Sequence, residues 1–202
     1  MAKIDLKNEL RELYYPSAKQ VTTVNVPVFN FLMIDGEGDP NTSQQYKEAV
    51  EALFSVSYAI KFMLKKGRGI DYGVMPLEGL WWADDMKTFS LERKEGWKWT
   101  SVIMQPNHVS AEEVALGIEQ TRKKKGLKVL STLRFESYPE GLAAQIMHIG
   151  PFSTEQANIK KIHEYILNSG HTLVGKHHEI YLSDPRKTDP EKLKTILRQP
   201  MK

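Results

Sequence analysis

The pattern of apolar and polar residues divides the chain into strands and helices. Residues 21–34 are rich in Val, Phe and Thr and predict a long strand, in which Pro27 marks an edge position or a break. Further strand-like runs are bounded by Gly, Pro or charged residues. They cover residues 72–83, 97–104, 130–137, 142–149 and 171–182.

Apolar residues at helical spacing predict three long helices. These helices cover residues 42–66, 110–125 and 153–168. The first is expected to begin at Thr42 or Ser43, both of which are good N-cap residues. Ser110 and Glu113 have the spacing of a capping box, and Gly126 is placed to end that helix.

The two ends of the chain are predicted to be short additions to this body. Residues 1–20 predict a helical or irregular arm that packs on the body through Tyr14 or Tyr15. Residues 184–202 read as a polar tail with a short helix over residues 191–197.

The same order of elements occurs twice. Residues 31–34 lead through a turn with Gly and Pro into a helix, and two strand candidates follow. Residues 145–149 do the same, with Ser153 or Thr154 as the helix cap. This order indicates an internal duplication of a strand–helix–strand–strand unit.

Two such units side by side predict an α+β fold with a mainly antiparallel sheet, two long helices on one face and a ligand cleft at the junction of the halves. The whole chain, residues 1–202, is then a single domain. Its parts are an N-terminal arm over 1–20, a first repeat over 21–104, a connecting helix over 105–128, and a second repeat with a tail over 129–202.

The amino-acid composition excludes several kinds of site and of partner. The 202 residues include no cysteine, which excludes disulfides, thiolate metal sites and thiol nucleophiles. No signal peptide or membrane-spanning run is readable, so a cytoplasmic protein without membrane contact is expected. The densest basic cluster, over residues 122–125, ends a helix, where cations complement the dipole, and direct nucleic-acid binding is not expected.

All four tryptophans lie in one short stretch. Trp97 and Trp99 are two residues apart and share a face of their strand, whereas Trp81 and Trp82 point to opposite faces. Bulky rings of this kind are used for core packing, and they also stack on flat ligands. The pattern leaves both readings open.

Glu179 is a carboxylate in a late, largely apolar strand. If its face is buried, the acid must be paired, neutralised or used in chemistry; if its face is exposed, it is simply solvated. His177 and His178 precede it but point to opposite sides, so a metal site is not expected. The phosphate loop and the nucleophile elbow are also missing, and no cofactor is expected.

Four segments resemble the GyrI-like small-molecule-binding domain family, in its stand-alone form. They are residues 31–40 (FLMIDGEGDP), 76–82 (PLEGLWW), 178–186 (HEIYLSDPR) and 193–200 (LKTILRQP). The resemblance covers nearly the whole chain and agrees with the duplicated architecture. It implies the effector-binding fold of multidrug-responsive regulators, here without a DNA-binding domain.

The resemblance also implies a site. In the family, an acidic residue of a late strand meets cationic aromatic drugs inside a cage of rings, and Glu179 is the matching acid. Some stand-alone relatives resemble hydrolases that open the cyclopropane of DNA-alkylating natural products. The catalytic candidates are Glu179, as general base, and Tyr138, as hydrogen-bond donor. The ligand-binding candidates are Trp82, Trp97, Trp99, Phe135, His177 and Tyr181.

Three functions remain open at this point. The chain is a hydrolase that protects the cell from such compounds, a non-catalytic protein that sequesters aromatic drugs, or, less favoured, an inhibitor that interacts with DNA gyrase. An aromatic small molecule is the expected partner in the first two. The sequence does not predict an oligomeric state.

Overall fold

A computed structural model describes residues 3–83 and 96–202, and it has the α+β architecture expected from the sequence. Residues 84–95, expected to be a polar connection, lie outside the described residues. The strands are β1 (Thr22–Val26), β2 (Phe29–Glu37), β3 (Leu77–Trp82), β4 (Lys98–Gln105), β5 (Arg134–Tyr138), β6 (Gly141–Ile149), β7 (His177–Tyr181) and β8 (Lys194–Pro200). The helices are α1 (Leu6–Glu9), α2 (Arg11–Tyr14), α3 (Gln44–Arg68), α4 (Ala111–Lys125) and α5 (Gln156–Asn168).

The eight strands form one sheet in the order β1-β6-β8-β7-β3-β4-β2-β5. Every pairing between neighbouring strands is antiparallel. The order β2-β4-β3 in one half mirrors β6-β8-β7 in the other, and β3 meets β7 at the centre. This arrangement agrees with two units of equal topology, while their origin by duplication stays a prediction.

The helix boundaries follow from the predicted caps. Ser43 accepts a hydrogen bond from the Tyr46 N–H at the start of α3, and α3 ends at Gly69, whose φ of 67° is left-handed. The capping box of Ser110 and Glu113 opens α4, as predicted. The helix predicted over residues 153–168 is confirmed as α5, but its predicted cap at Ser153 or Thr154 was wrong, because a 3-10 turn, Phe152–Thr154, comes first and no side chain caps α5.

Several predicted strands are shorter or divided. The long strand over residues 21–34 is two strands, because the chain breaks around Pro27, and β1 and β2 then lie in opposite halves of the sheet. In the run over 130–137, Lys128–Ser131 is a 3-10 turn and only the later residues form β5. In the run over 171–182, only residues 177–181 form a strand of the sheet, β7.

The helix predicted over residues 191–197 was wrong. A single 3-10 turn, Pro190–Lys192, is followed by β8, which lies inside the sheet between β6 and β7. Six of its seven residues, Thr195 to Pro200, are buried. Because both faces of β8 are covered, its apolar and polar residues do not alternate as they do in a half-exposed strand.

Helices α3 and α5 cover the same face of the sheet, called here the front face. α3 packs on β2 and β4, and α5 packs on β6 and β8. The N-terminal arm covers the opposite, back face, where Tyr14 is buried and Tyr15 is 44% exposed. No helix within the described residues is long and apolar enough to cross a membrane.

Candidate functional site

Glu179 lies on the front face, between the two long helices. It pairs with Gly79 of β3 and Leu197 of β8, and residues directly opposite in a sheet share a face. Since α3 packs on β2 and β4 and α5 on β6 and β8, the central strands β3 and β7 lie between the helices. A cavity of about 1390 Å³ lies there, and Glu179 is among the residues that line it.

Hydrogen bonds fix the Glu179 carboxylate. The Tyr181 hydroxyl donates to Glu179 Oε2 at 2.7 Å, and the same hydroxyl accepts from Trp81 Nε1 at 3.1 Å. Tyr181 shares the face of Glu179 because it lies two residues further along β7. The single hydroxyl proton of Tyr181 is therefore donated to Glu179, and the hydrogen bonds run in one direction from Trp81 through Tyr181 to Glu179.

Two phenols remain protonated beside this carboxylate. Burial, reinforced by the negative charge of Glu179, raises the pKa of Tyr181 well above its usual range. The same two causes, in the same order, raise the pKa of Tyr46, which begins α3 and lines the cavity. Both phenols are therefore hydrogen-bond donors at neutral pH.

Aromatic rings surround the carboxylate on several sides. Trp97 contacts Trp81 edge-to-face, with ring centroids 5.3 Å apart, and Tyr46 lies 5.9 Å from Trp81. On the side of α5, the Phe152 ring lies 5.8 Å from Tyr181. These rings give the inner part of the cavity flat apolar surfaces around one acid.

A row of rings on α3 continues the cavity towards its mouth. Phe54, Tyr58 and Phe62 are spaced by four residues and stack in turn, with centroids 6.5 and 6.1 Å apart. Tyr58 is 46% exposed and Phe62 58% exposed. Large apolar rings left in contact with water beside a cavity are typical of a binding surface.

Two further ionisable residues lie near Glu179. His177 shares its face, and His177 Nε2 is 3.3 Å from Glu179 Oε1. Glu155, just before α5, is a second buried carboxylate lining the cavity, and its charge contributes to the raised pKa of Tyr181. No group of three acidic or histidine side chains in residues 3–83 and 96–202 is placed to hold a metal ion.

The structure brings together only some of the predicted site residues. Glu179, Tyr181 and Trp97 line the cavity, and His177 contacts Glu179 beneath it. Trp99 lies on the same face, but it is fully buried under the Tyr46 ring, 5.1 Å away. Trp99 therefore supports the cavity from below.

Three other candidates lie elsewhere. Trp82 points to the back face, where the Lys176 ammonium sits 3.3 Å from its ring centroid. Tyr138 pairs with Phe29 at the sheet edge and also faces the back, so the structure does not bring it to Glu179. Phe135 faces the front but belongs to the same edge strand, β5, four strands away from β7.

Sequence reasoning missed Trp81, Tyr46, Phe152 and Glu155. The choice between Trp81 and Trp82 depends on the pairing of β3, which the sequence does not reveal. Tyr46 precedes Phe54, Tyr58 and Phe62 on α3 at multiples of four residues, and this stripe of rings was readable in the sequence. No local signal distinguishes Glu155 from the other glutamates.

A known family matches this chain. The model of the GyrI-like small molecule binding domain covers residues 19–202. The chain belongs to this family. The large cavity between the helices agrees with the small-molecule binding for which the family is named.

Several solved structures resemble this chain. A hydrolase from Listeria innocua is 40% identical, with a TM-score of 0.88 and complete coverage of both chains. An uncharacterised conserved protein from the same organism is also 40% identical, with a TM-score of 0.91 over 99% of this chain and 100% of that one. The C-terminal domain of EcmrR, at 10% identity and a TM-score of 0.56 over 91% of this chain and 97% of that one, shares the fold. No curated protein matches the chain significantly.

Proposed function

We propose that this GyrI-like protein binds flat aromatic small molecules in the cavity and hydrolyses cyclopropane-bearing, DNA-alkylating compounds, thereby protecting the cell. The observation that carries the proposal is the Glu179 carboxylate, only 6% exposed, beside the rings of Trp81 and Trp97. The small-molecule binding of the family and the hydrolase from Listeria innocua support it. In this proposal the two halves are duplicated units, and the cavity at their junction is the ligand cleft.

Binding relies on shape and on the exclusion of water. A flat ligand enters past Tyr58 and Phe62, whose exposed rings offer the first stacking surface. It then reaches the inner rings around Trp81, where the Glu179 carboxylate also lines the cavity. A ligand held there places its reactive carbon close to water that Glu179 orients.

The chemical step is the addition of one water to the strained ring. Glu179 takes a proton from the water, and the water oxygen forms a bond to a cyclopropane carbon. The carbon–carbon bond that breaks passes its electron pair to the conjugated carbonyl, which becomes a phenolate and then takes up a proton. Tyr46 is the protonated phenol available to donate a hydrogen bond to that oxygen, since Tyr181 already donates to Glu179.

Replacing the proposed base tests the reaction. The purified protein is incubated with a cyclopropane-bearing alkylator, and the gain of one water is followed by mass spectrometry. Glu179→Gln keeps the size of the side chain and removes its charge, so we expect turnover to fall by about 100-fold or more. Glu164→Gln, at an exposed acid of α5, is the matched control and should retain full turnover.

The second candidate function is sequestration without chemistry. One observation favours it: the Glu179 carboxylate already accepts a hydrogen bond from the Tyr181 hydroxyl and contacts His177, an arrangement that also suits a purely electrostatic partner. In that case the alkylator is recovered unchanged while it quenches tryptophan fluorescence saturably. Turnover that is equal in wild type and Glu179→Gln would show that Glu179 is not the base.

A further inference from the structure

A second group of charged residues is buried on the back face, outside the cavity. This back-face cluster comprises Tyr14, Glu78, Glu140, Gln145, His178 and Arg198. Each of these residues is at most 9% exposed. Buried charges are costly unless every one of them is paired and hydrogen-bonded.

His178 is the central member of the cluster. Its Nε2 lies 3.0 Å from Glu78 Oε2 on β3, and its Nδ1 lies 2.8 Å from Glu140 Oε1 in the turn before β6. Arg198 on β8 donates to the other oxygen of Glu140 at 3.0 Å and to Gln145 Oε1 at 3.0 Å. Two acids are thus matched by two basic side chains from three strands and the turn before β6.

The N-terminal arm completes the cluster. The Tyr14 hydroxyl donates to Glu78 Oε1 at 2.9 Å, so that both Glu78 oxygens are occupied. The backbone carbonyl of Leu13 accepts from Arg198 at 2.9 Å, and that of Glu12 accepts from Gln145 at 2.7 Å. The arm therefore satisfies donors and acceptors that the sheet alone leaves open.

The cluster holds the strand that carries Glu179. His178 precedes Glu179 on β7, and their side chains point to opposite faces of the same short strand. His178 ties the back side of β7 to Glu78 of β3 and to Glu140 in the turn before β6. The front side of the same strand carries Glu179 and Tyr181.

We infer that residues 12–14 of the arm position Glu179, by closing the back-face cluster that holds β7. These residues precede residue 19, where the match to the GyrI-like domain begins, so the domain core of this chain depends on a segment outside it. The inference rests on the proposed function for the importance of Glu179, but its test needs neither a ligand nor turnover.

The test uses the tryptophan side chain that reports on Glu179. Trp81 Nε1–H donates to Tyr181, which donates to Glu179, so the Trp81 indole signal in a nitrogen-15 NMR spectrum senses movement of β7. The full chain is compared with Tyr14→Phe, which removes one hydroxyl on the other side of the sheet. Tyr15→Phe, at the exposed neighbouring tyrosine, is the matched control, and Trp81→Phe identifies the signal.

We expect the Trp81 signal to shift by more than its line width, or to split, in Tyr14→Phe and to stay in place in Tyr15→Phe. A purely structural role for the arm would lower thermal stability and leave this signal unmoved in the folded protein. An unmoved signal in folded Tyr14→Phe therefore overturns the inference.

A second variant covers the case in which Tyr14→Phe does not fold. Arg198→Lys keeps the buried positive charge but loses the reach to the Leu13 carbonyl, and it should move the same signal. Where turnover is measurable, Tyr14→Phe should lower kcat about tenfold with little change in KM, because the rings that hold the ligand are unmoved. If Glu179→Gln has full turnover, the proposed function fails, and the NMR result still decides the role of the arm.

Discussion

Tyr181 links two otherwise separate features of the site, since it accepts from Trp81 and donates to Glu179. A carboxylate that is free to rotate would lose part of its ordering when a ligand arrives, whereas this one is already oriented. Trp81 thus has two roles: its ring lines the cavity, and its Nε1–H orients the phenol. Trp82, the next residue, has neither role, because it faces the back of the sheet.

Substituting Trp81 and Trp82 in turn therefore tests whether ligands bind in the front-face cavity. Trp81→Phe removes part of a stacking surface and the hydrogen bond to Tyr181, and we expect it to weaken binding of a flat aromatic cation such as acridine orange by about 1 kcal/mol, or roughly fivefold. Trp82→Phe should bind acridine orange like the wild type. Calorimetric titration measures both. Equal losses in the two variants would place the ligand somewhere other than the front-face cavity.

Glu179 and only part of its surroundings were candidates from the sequence. A lone acid in an apolar strand is visible in the residue order, and its burial is now observed. Trp82 was predicted on the wrong face of its strand, and Tyr138 on a strand far from β7. Both errors arise because face and strand position depend on pairing partners that are distant in the chain. The phenols actually near Glu179 are Tyr181, which was predicted, and Tyr46, which comes from a helix more than 130 residues earlier.

Strand β2 passes the buried Trp99 ring at Gly36. Gly36 pairs with Trp99 of β4, and a Cβ atom at this position would collide with the Trp99 indole. The indole is fully buried beneath Tyr46, so it has no free space into which to move. A residue without a side chain is therefore required where the strand passes the ring.

Gly36→Ala should consequently destabilise the fold by about 1–3 kcal/mol, the usual cost of overpacking. Gly67→Ala is the opposite case, because Gly67 lies in the last turns of α3 with no atom within 4 Å of a new Cβ. It should stabilise by about 0.5–1 kcal/mol through helix propensity. Urea unfolding measures both changes. A Gly36→Ala protein as stable as the wild type would contradict the close packing against Trp99.

Elements with local boundary signals were predicted well, and elements without them were not. α3 and α4 begin and end at capping residues that are recognisable in the sequence, so their observed boundaries agree closely with the predicted ones. The first four residues of β8, 194–197, were mistaken for part of a helix, and the polar residues Thr195, Arg198 and Gln199 leave β8 without the apolar alternation of a half-exposed strand. The partners that make such polar residues tolerable, including Glu140 for Arg198, come from other parts of the chain.

At the scale of the whole molecule, the back-face cluster couples stability to pH. The pKa of His178 is raised to about 9, because the carboxylates of Glu140 and Glu78 outweigh the opposing effect of burial. The pKa of Glu140 is lowered to about 2, because the charges of His178 and Arg198 outweigh burial. A raised histidine pKa stabilises the fold below the unfolded value and loses that contribution as the pH rises through the folded value.

We therefore expect the free energy of unfolding to fall by about 3 kcal/mol between pH 6.5 and pH 9 as the contribution of His178 is lost. His108 and His163 have lowered pKa values, and their effects lie below this window. The buried tyrosines titrate above it. Urea unfolding at several pH values measures the change. An NMR titration that finds His178 changing charge near 6.5 would contradict the prediction.

The residue order predicted the α+β class, the caps of α3 and α4, the candidate acid Glu179 and the resemblance to the family, because these features are readable in short segments of the chain. Whether Glu179 is buried was decided by the tertiary structure. Tertiary structure decided which strands meet, and with that which side chains share a face. β3 and β7 pair across about 100 residues, and this single pairing brings Trp81 to Tyr181 on the front and Glu78 to His178 on the back. Local periodicity tells which residues alternate, but a strand has two faces, and only its partners determine which of them lines the cavity.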